Sequence, residues 1–284
     1  MMFKKVAITL LIAACTLSAC RKKIKIQEDE IYSRHLQERI KLTIFSTDLP
    51  DDKRLVNLLL LNDGQDANKM RVKETLDSLY NQKLIAPLIV VAIHAGKREQ
   101  WYGVAGLPDF ENRGSKADKY ASFIDNELFA AIKKKSGVRK FNSIAIAGAS
   151  LGGLSAMDIA WNNADKIDKA GVFSGSFWWR DKDAGKPGYS DAVNRILLKT
   201  IQSSRKRPKL QYWFYAGLNE ETSDRDKDGI IDVADDTKDL VEIISNKKVC
   251  PPGDIVYTET ADGRHDYESW SKVFPSFLVW AFGK

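Results

Sequence analysis

Ser150 stands at the centre of Gly148-Ala149-Ser150-Leu151-Gly152, the stretch of this 284-residue chain whose residue types most directly imply covalent chemistry. The apolar run Ile144-Ala145-Ile146-Ala147 precedes it, and Leu154, Met157, Ile159 and Trp161 follow in a helix-like segment. Strand, turn and helix around Gly-x-Ser-x-Gly are the signature of a nucleophile elbow, whose turn is too tight for a Cβ two positions either side of the serine. Gly148 and Gly152 meet that demand, and Gly153 removes one more side chain where the helix must pass the strand. The strain lifts the hydroxyl above the sheet. A helix starting at Leu151 brings its free N–H groups and partial positive charge to the same place, which suits an oxyanion.

The flanking motifs extend the pattern: Gly153 after the elbow, Val172-Phe173-Ser174-Gly175-Ser176-Phe177-Trp178-Trp179 after the next strand, and Asn62-Asp63-Gly64-Gln65 after an early one. With these the chain resembles the esterase D and enterochelin esterase-like branch of the α/β-hydrolases over most of residues 31–284. The resemblance implies a serine ester hydrolase with a Ser/acid/His triad in the chain order nucleophile, acid, histidine. Of His35, His94 and His265, only His265 follows Ser150, in the turn Asp262-Gly263-Arg264-His265-Asp266 after the last strand, where a general base must reach back. His94 closes a buried strand and reads as structural, and His35 as solvated. The acid is expected where Gln211–Ala216 ends in Gly217-Leu218-Asn219-Glu220-Glu221: Glu220 is the first choice, with Glu221 and Asp224 as alternatives. The two oxyanion donors are expected to be the backbone N–H groups of Leu151 and, in the Asp-Gly-Gln loop, of Gln65.

A second pattern lies just past the acid. Asp224, Asp226, Asp228, Asp232 and Asp235 occupy positions 1, 3, 5, 9 and 12 of a twelve-residue loop, with Gly229 at 6, the Ile230 carbonyl at 7 and an apolar residue at 8. This is the spacing of an EF-hand calcium loop, in which alternate residues converge on one cation. Two features depart from it: a strand turn leads in where a helix should, and position 12 is Asp rather than Glu. The expectation is a structural Ca²⁺ clamping the loop that carries Glu220, with no cofactor for the catalysis itself. Trp178 and Trp179 could wall the cleft for a sugar or phenolic ring or simply pack in the core, and Arg98 in the loop after a strand could line the same cleft.

The elements needed to position these residues can be read from the apolar pattern. Strands are expected at Ile40–Phe45, Leu55–Leu61, Leu84–His94, the elbow run, Lys169–Phe173, Gln211–Ala216 and Asp254–Thr260. Helices are expected at 66–81, 116–135, after the elbow, near 190–204, at 236–246 and near 266–281, with a glycine-rich loop around Trp101–Gly114. Such alternation predicts an α/β fold, a mostly parallel sheet with helices on both faces.

At the N-terminus, Lys4-Lys5, an apolar run from Val6 to Ala14 and Leu17-Ser18-Ala19-Cys20 make a secretory signal too short to span a membrane. Leu-Ser-Ala-Cys resembles a bacterial lipobox. The expected organisation is therefore a signal peptide at 1–19, a tether at 20–30 lipidated on Cys20, and an esterase domain at 31–284, held at the cell envelope on its periplasmic or outer-membrane side. Cleavage would remove two lysines and no acid from a formal charge of +6. The basic clusters lack interleaved aromatics, so no nucleic-acid partner is expected. Cys250 alone would remain, without a disulfide partner. The substrate is expected to be a small-molecule or polysaccharide ester, most readily an acyl or feruloyl ester of a polysaccharide. A siderophore ester is the alternative, and a non-catalytic carbohydrate-binding lipoprotein the reading of another class.

Overall fold

The computed structural model describes residues 23–284; the expected signal peptide and Cys20 lie outside the described residues. Eight strands form one sheet in the order β1-β2-β4-β3-β5-β6-β7-β8. They are β1 (Lys25–Ser33), β2 (Glu38–Ser46), β3 (Asn57–Asn62), β4 (Leu88–Ile93), β5 (Ile144–Ala149), β6 (Lys169–Phe173), β7 (Gln211–Gly217) and β8 (Ile255–Thr260). From β4 to β8 every neighbouring pair is parallel, while β1 and β2 are antiparallel to each other and β2 is antiparallel to β4.

Both faces of the parallel region are covered because successive residues of its central strands β3, β4 and β5 are apolar. Leu58 and Leu60 of β3 face one core and Leu59 and Leu61 the other; Val91 and Val90 of β4 divide in the same way. One face is covered by α1 (Val72–Asn81) and the final helix α9 (Tyr267–Phe282), the latter packing Phe274, Phe277 and Leu278 inward. Phe277 sits so close to β6 that a Cβ on Gly171 would lie 2.3 Å from its ring.

The opposite face carries α3 (Ala117–Phe123), α4 (Phe129–Ser136), α5 (Leu151–Asn162), α7 (Ile196–Ser203) and α8 (Asp232–Asn246), with the short α2 (Arg98–Trp101) and α6 (Asp191–Asn194) in the connections. A π-helical turn at Ile124–Leu128 joins α3 to α4 where one continuous helix is expected.

Several boundaries differ from the sequence pattern: β4 starts at Leu88 rather than Leu84, α8 at Asp232 rather than 236, and the helix expected near 190–204 is divided into α6 and α7. Helix α1 starts at Val72 rather than 66, because Asp63 and Arg71 both adopt left-handed backbone (φ 58° and 55°) and the residues between them form a 3₁₀ turn and tight turns. Residues 25–30, assigned to the tether, are strand: β1 pairs with β2 over its full nine residues, so the domain begins before residue 31.

Candidate active site

Ser150 occupies the junction of β5 and α5 at φ 55° and ψ −125°, a conformation few non-glycine residues adopt. It is pinned by its N–H, which donates to the Phe173 carbonyl (2.9 Å), and by its own carbonyl, which accepts from Gly153 and Leu154 (both 3.0 Å). The glycines are sterically required. A Cβ on Gly148 would lie 2.4 Å from the Gly152 carbonyl oxygen, and one on Gly153 would meet the Gly148 oxygen and Val172 at 2.9 Å. The Ser150 hydroxyl is half-buried and lies 3.3 Å from the Ser176 hydroxyl. Among the described residues Ser150 makes no hydrogen bond with His265.

Against the elbow lies the Asn62–Gln65 turn. The Asn62 amide donates to the Gly152 carbonyl (2.7 Å) and accepts from the Tyr120 hydroxyl (2.6 Å). The Asp63 N–H donates to the Tyr102 hydroxyl (2.9 Å), and the Asp63 carboxylate takes two hydrogen bonds from Arg98 (2.9 and 3.1 Å). Burial pushes both phenols well above their usual range, so they remain neutral hydroxyls. Arg98 also donates to the Ala149 carbonyl (3.3 Å), and the Gln65 side chain bridges Asp63 and the Ala95 N–H (both 3.0 Å). Among the described residues the backbone N–H groups of Gln65 and Leu151 have no acceptor, and that of Leu151 directly follows Ser150. Arg98, expected to line the cleft, has its guanidinium committed largely to holding this turn.

Glu220 and His265 are brought together by contact between glycines at the ends of β7 and β8. A Cβ on Gly217 would fall 2.4 Å from the Gly263 carbonyl, and the Asn219 N–H donates to that same carbonyl (2.9 Å). His265 Nδ1 bonds Glu220 Oε2 at 2.7 Å, and the Glu220 carboxylate is almost fully buried while the imidazole is 40% exposed. Glu220 Oε1 accepts from the Gly217 N–H (2.6 Å) and the Ser174 hydroxyl (2.5 Å). The alternatives have other duties: Glu221 caps α8 by accepting from the Val233 N–H (2.9 Å), and Asp224 accepts from the Asp228 and Gly229 N–H groups.

The two tryptophans separate. Trp179 is completely buried, its indole wedged against Gly103 and Gly114 and donating to the Leu107 carbonyl (3.1 Å), so it is a core residue with no face left for a ligand. Trp178 is half-buried and flanked by the guanidinium groups of Arg113 (5.0 Å) and Arg180 (5.9 Å). In the acidic loop, carboxylate oxygens of Asp224, Asp226 and Asp228 converge within 4.8 Å of one another, and Gly229 takes φ 91° as the sharp turn requires. Asp232 does not join them: both its oxygens accept from Arg225 (2.7 and 3.0 Å), whose guanidinium also bonds Asp191 and Asp236. Asp235, at position 12, is pushed up to about 6 by burial and by neighbouring acids that include Asp226 and Asp228. Three converging carboxylates with a fourth nearby suit a hard divalent cation, short of the full expected set. His94 is structural, bonded to Thr43 (2.9 Å), and Cys250 packs half-buried against the core.

Sheet order, elbow and the loops at the carboxyl ends of the strands define an α/β-hydrolase. Within that class, residues 33–281 match the Esterase family, described as "Putative esterase", and the chain belongs to that family. Among curated relatives, uncharacterized protein YbbA of Bacillus subtilis (strain 168) is 24% identical over 216 residues, covering 74% of this chain and 80% of its own. Among solved structures, the enterobactin esterase FES from Shigella flexneri in the presence of enterobactin is similar at a TM-score of 0.67 and 20% identity, over 91% of this chain and 58% of that one. A ferulic acid esterase is similar at 0.66 and 20%, over 92% and 98%. The siderophore hydrolase EstB from Aspergillus nidulans is similar at 0.62 and 17%, over 97% of each. The chain thus spans about three fifths of the length of the enterobactin esterases it matches.

Proposed function

We propose that this member of the Esterase family is a serine carboxylic-ester hydrolase working through an acyl-enzyme. The observation that carries the reading is the strained Ser150 at the start of α5, next to the unpaired Leu151 N–H, with a bonded His265–Glu220 pair on the loops after β7 and β8. In the reaction Ser150 Oγ leaves Ser176 for His265 Nε2, gives up its proton there and attacks the ester carbonyl. The oxyanion is taken by the Leu151 and Gln65 N–H groups, each worth about 3 kcal/mol in such a site. His265 then protonates the departing alcohol, and afterwards activates the water that releases the acid. Glu220, bonded at Nδ1, holds the imidazole in the tautomer that leaves Nε2 free to accept.

The preferred substrates are acyl or feruloyl esters of polysaccharides. Trp178 between two arginines supports an aromatic acyl group, and the likeness to a ferulic acid esterase agrees with it. A siderophore ester is the second reading, supported by the similar enterobactin esterase and siderophore hydrolase structures and by the same arginines, which would suit a catecholate. A binding protein without catalysis is disfavoured by the bonded Glu220–His265 pair. Within the same proposal, Asp224, Asp226 and Asp228 would hold Ca²⁺, with Asp235 beside them, while Asp232 stays bonded to Arg225. Cys20 carries a lipid that keeps the enzyme at the cell envelope.

The test is hydrolysis of p-nitrophenyl acetate, methyl ferulate, acetylated xylan and a catecholate trilactone by the chain from Arg21 onward and by its Ser150→Ala variant. Turnover that falls at least about 10⁴-fold in Ser150→Ala identifies the nucleophile, and the preferred ester chooses between the two substrate readings. Turnover surviving the substitution, or none on any ester, ends the proposal.

A further inference from the structure

We infer that Ser174 and Trp270 are positioning residues for the Glu220–His265 pair, a role that rests on those two being the acid and the base. Ser174 is fully buried and takes φ 49°, a left-handed conformation uncommon for serine, with its N–H fixed on the Tyr215 carbonyl (2.7 Å). The Trp270 indole Nε1–H donates to the Ser174 hydroxyl oxygen at 2.8 Å. An indole N–H can only donate, so the hydroxyl must accept from it and has a single proton to give. That proton goes to Glu220 Oε1, 2.5 Å away. The direction of the chain Trp270, Ser174, Glu220 is therefore set by chemistry alone.

The consequence falls on the carboxylate. Oε1 is occupied by two donors, Ser174 and Gly217, and Oε2 is left to His265. Turning the carboxylate away from the imidazole breaks charge-assisted hydrogen bonds inside a buried site, where they are strong. Trp270 acts on both members of the pair, on Glu220 through Ser174 and on His265 directly, since its ring meets the imidazole edge to face with centroids 5.1 Å apart at 80°. The strained backbone at Ser174 places the hydroxyl where these bonds require it.

The experiment compares Ser174→Gly and Trp270→Phe with the parent, and with Glu220→Gln and His265→Ala, on p-nitrophenyl acetate across pH. Glycine accepts the left-handed backbone, so Ser174→Gly removes the hydroxyl without adding strain, and phenylalanine keeps the ring while removing the N–H. Expected for Ser174→Gly is a kcat about tenfold lower, a modest share of what a general base supplies, with KM unchanged. The acid limb of the pH profile should move to higher pH, because a carboxylate with one donor fewer puts more of its charge on the imidazolium. Glu221, a further carboxylate whose field reaches His265, is untouched by either substitution. Trp270→Phe should shift the limb the same way by less, and it carries the test if the glycine variant is insoluble. Unaltered kcat and acid limb in both variants, with Glu220→Gln and His265→Ala inactive, overturn the positioning role alone. Parent-level turnover in Glu220→Gln and His265→Ala overturns the acid–base assignment and the positioning role with it.

Discussion

The two halves of the site are held by different means. On the Ser150 side, position is enforced by backbone touching backbone: Gly148 against Gly152, Gly64 against Ala92, and a first helical turn that cannot start anywhere else. On the Glu220 side, after one glycine contact between Gly217 and Gly263, position depends on side chains. These are the donors to the Glu220 carboxylate, the Glu221 cap on α8, and Arg225 and Arg195 gathered around the buried Asp236. Hard-sphere contact leaves one arrangement, while hydrogen bonds and ion pairs can be exchanged or screened. The Ser150 side should therefore fail abruptly when altered, and the Glu220 side by degrees.

The largest effect should come from Gly148→Ala. Its methyl carbon would sit 2.4 Å from the Gly152 oxygen with backbone on both sides, so neither partner can yield. We expect a loss of about 3 kcal/mol or more together with loss of turnover, read by denaturant unfolding and ester hydrolysis; a stable, active variant would show the elbow to be looser than its geometry. Arg225→Met should act on the other half only. It removes one partner of Asp236, whose carboxyl burial pushes upward in spite of both arginines. Because Arg195 remains, the cost should be about 2 kcal/mol, below the 3–5 usual for stripping a buried charge bare. Hydrogen exchange should quicken in residues 218–232 and stay slow in α5, and equal quickening in both would erase the distinction between the halves.

A pH test probes the elbow helix itself. Burial pushes the Asp158 carboxyl of α5 up to about 6 from an ordinary 3.8, although it accepts from the Ala105 N–H. The folded protein thus keeps a proton that the unfolded chain releases between those values. This contribution is full below about pH 4 and is lost as pH rises through about 6, by at most about 3 kcal/mol. Asp158→Asn should flatten that slope in urea titrations at pH 4.5 and 7, and an unchanged slope would place its origin elsewhere. The smallest effect should be that of calcium: millimolar Ca²⁺ should raise the melting temperature by a few degrees, with protection gained in 224–235 and none in α5. Identical melting with Ca²⁺ and with chelator would remove the ion from the proposal.

The same contrast explains what was legible in the sequence. Strands β3 to β8, the elbow and the Asp-Gly-Gln turn could be read because apolar runs and glycines record local steric needs. Glu220 and His265 could be named from the resemblance to the esterase D branch together with their loops, since each sits just past a strand end. Strand β1 was not legible: most of its side chains are exposed, and it is held by pairing with β2, which leaves no alternating apolar mark. Nor could Ser174 and Trp270 be joined, lying far apart in the chain, although Trp270 follows the turn that carries His265. Trp178 and Trp179 are identical neighbours, and only the space between Gly103 and Gly114 decides which is core. Arg225 falls between two of the spaced aspartates, and spacing alone could not tell that it would draw Asp232 away.

The antiparallel pair at the sheet margin also sets which way the Ser150 end faces. Lys25 is in register with Ser46, and Ser46 with Ile89 at the start of β4, so the chain enters level with the amino ends of the parallel strands. Ser150 and its partners crown the carboxyl ends, about 20 Å away along six-residue strands. Any support gripping the N-terminus, such as a lipid on Cys20, would hold the molecule by its base with the serine aimed outward. In the proposed reading Ser150 would then open toward solution and away from whatever holds that end.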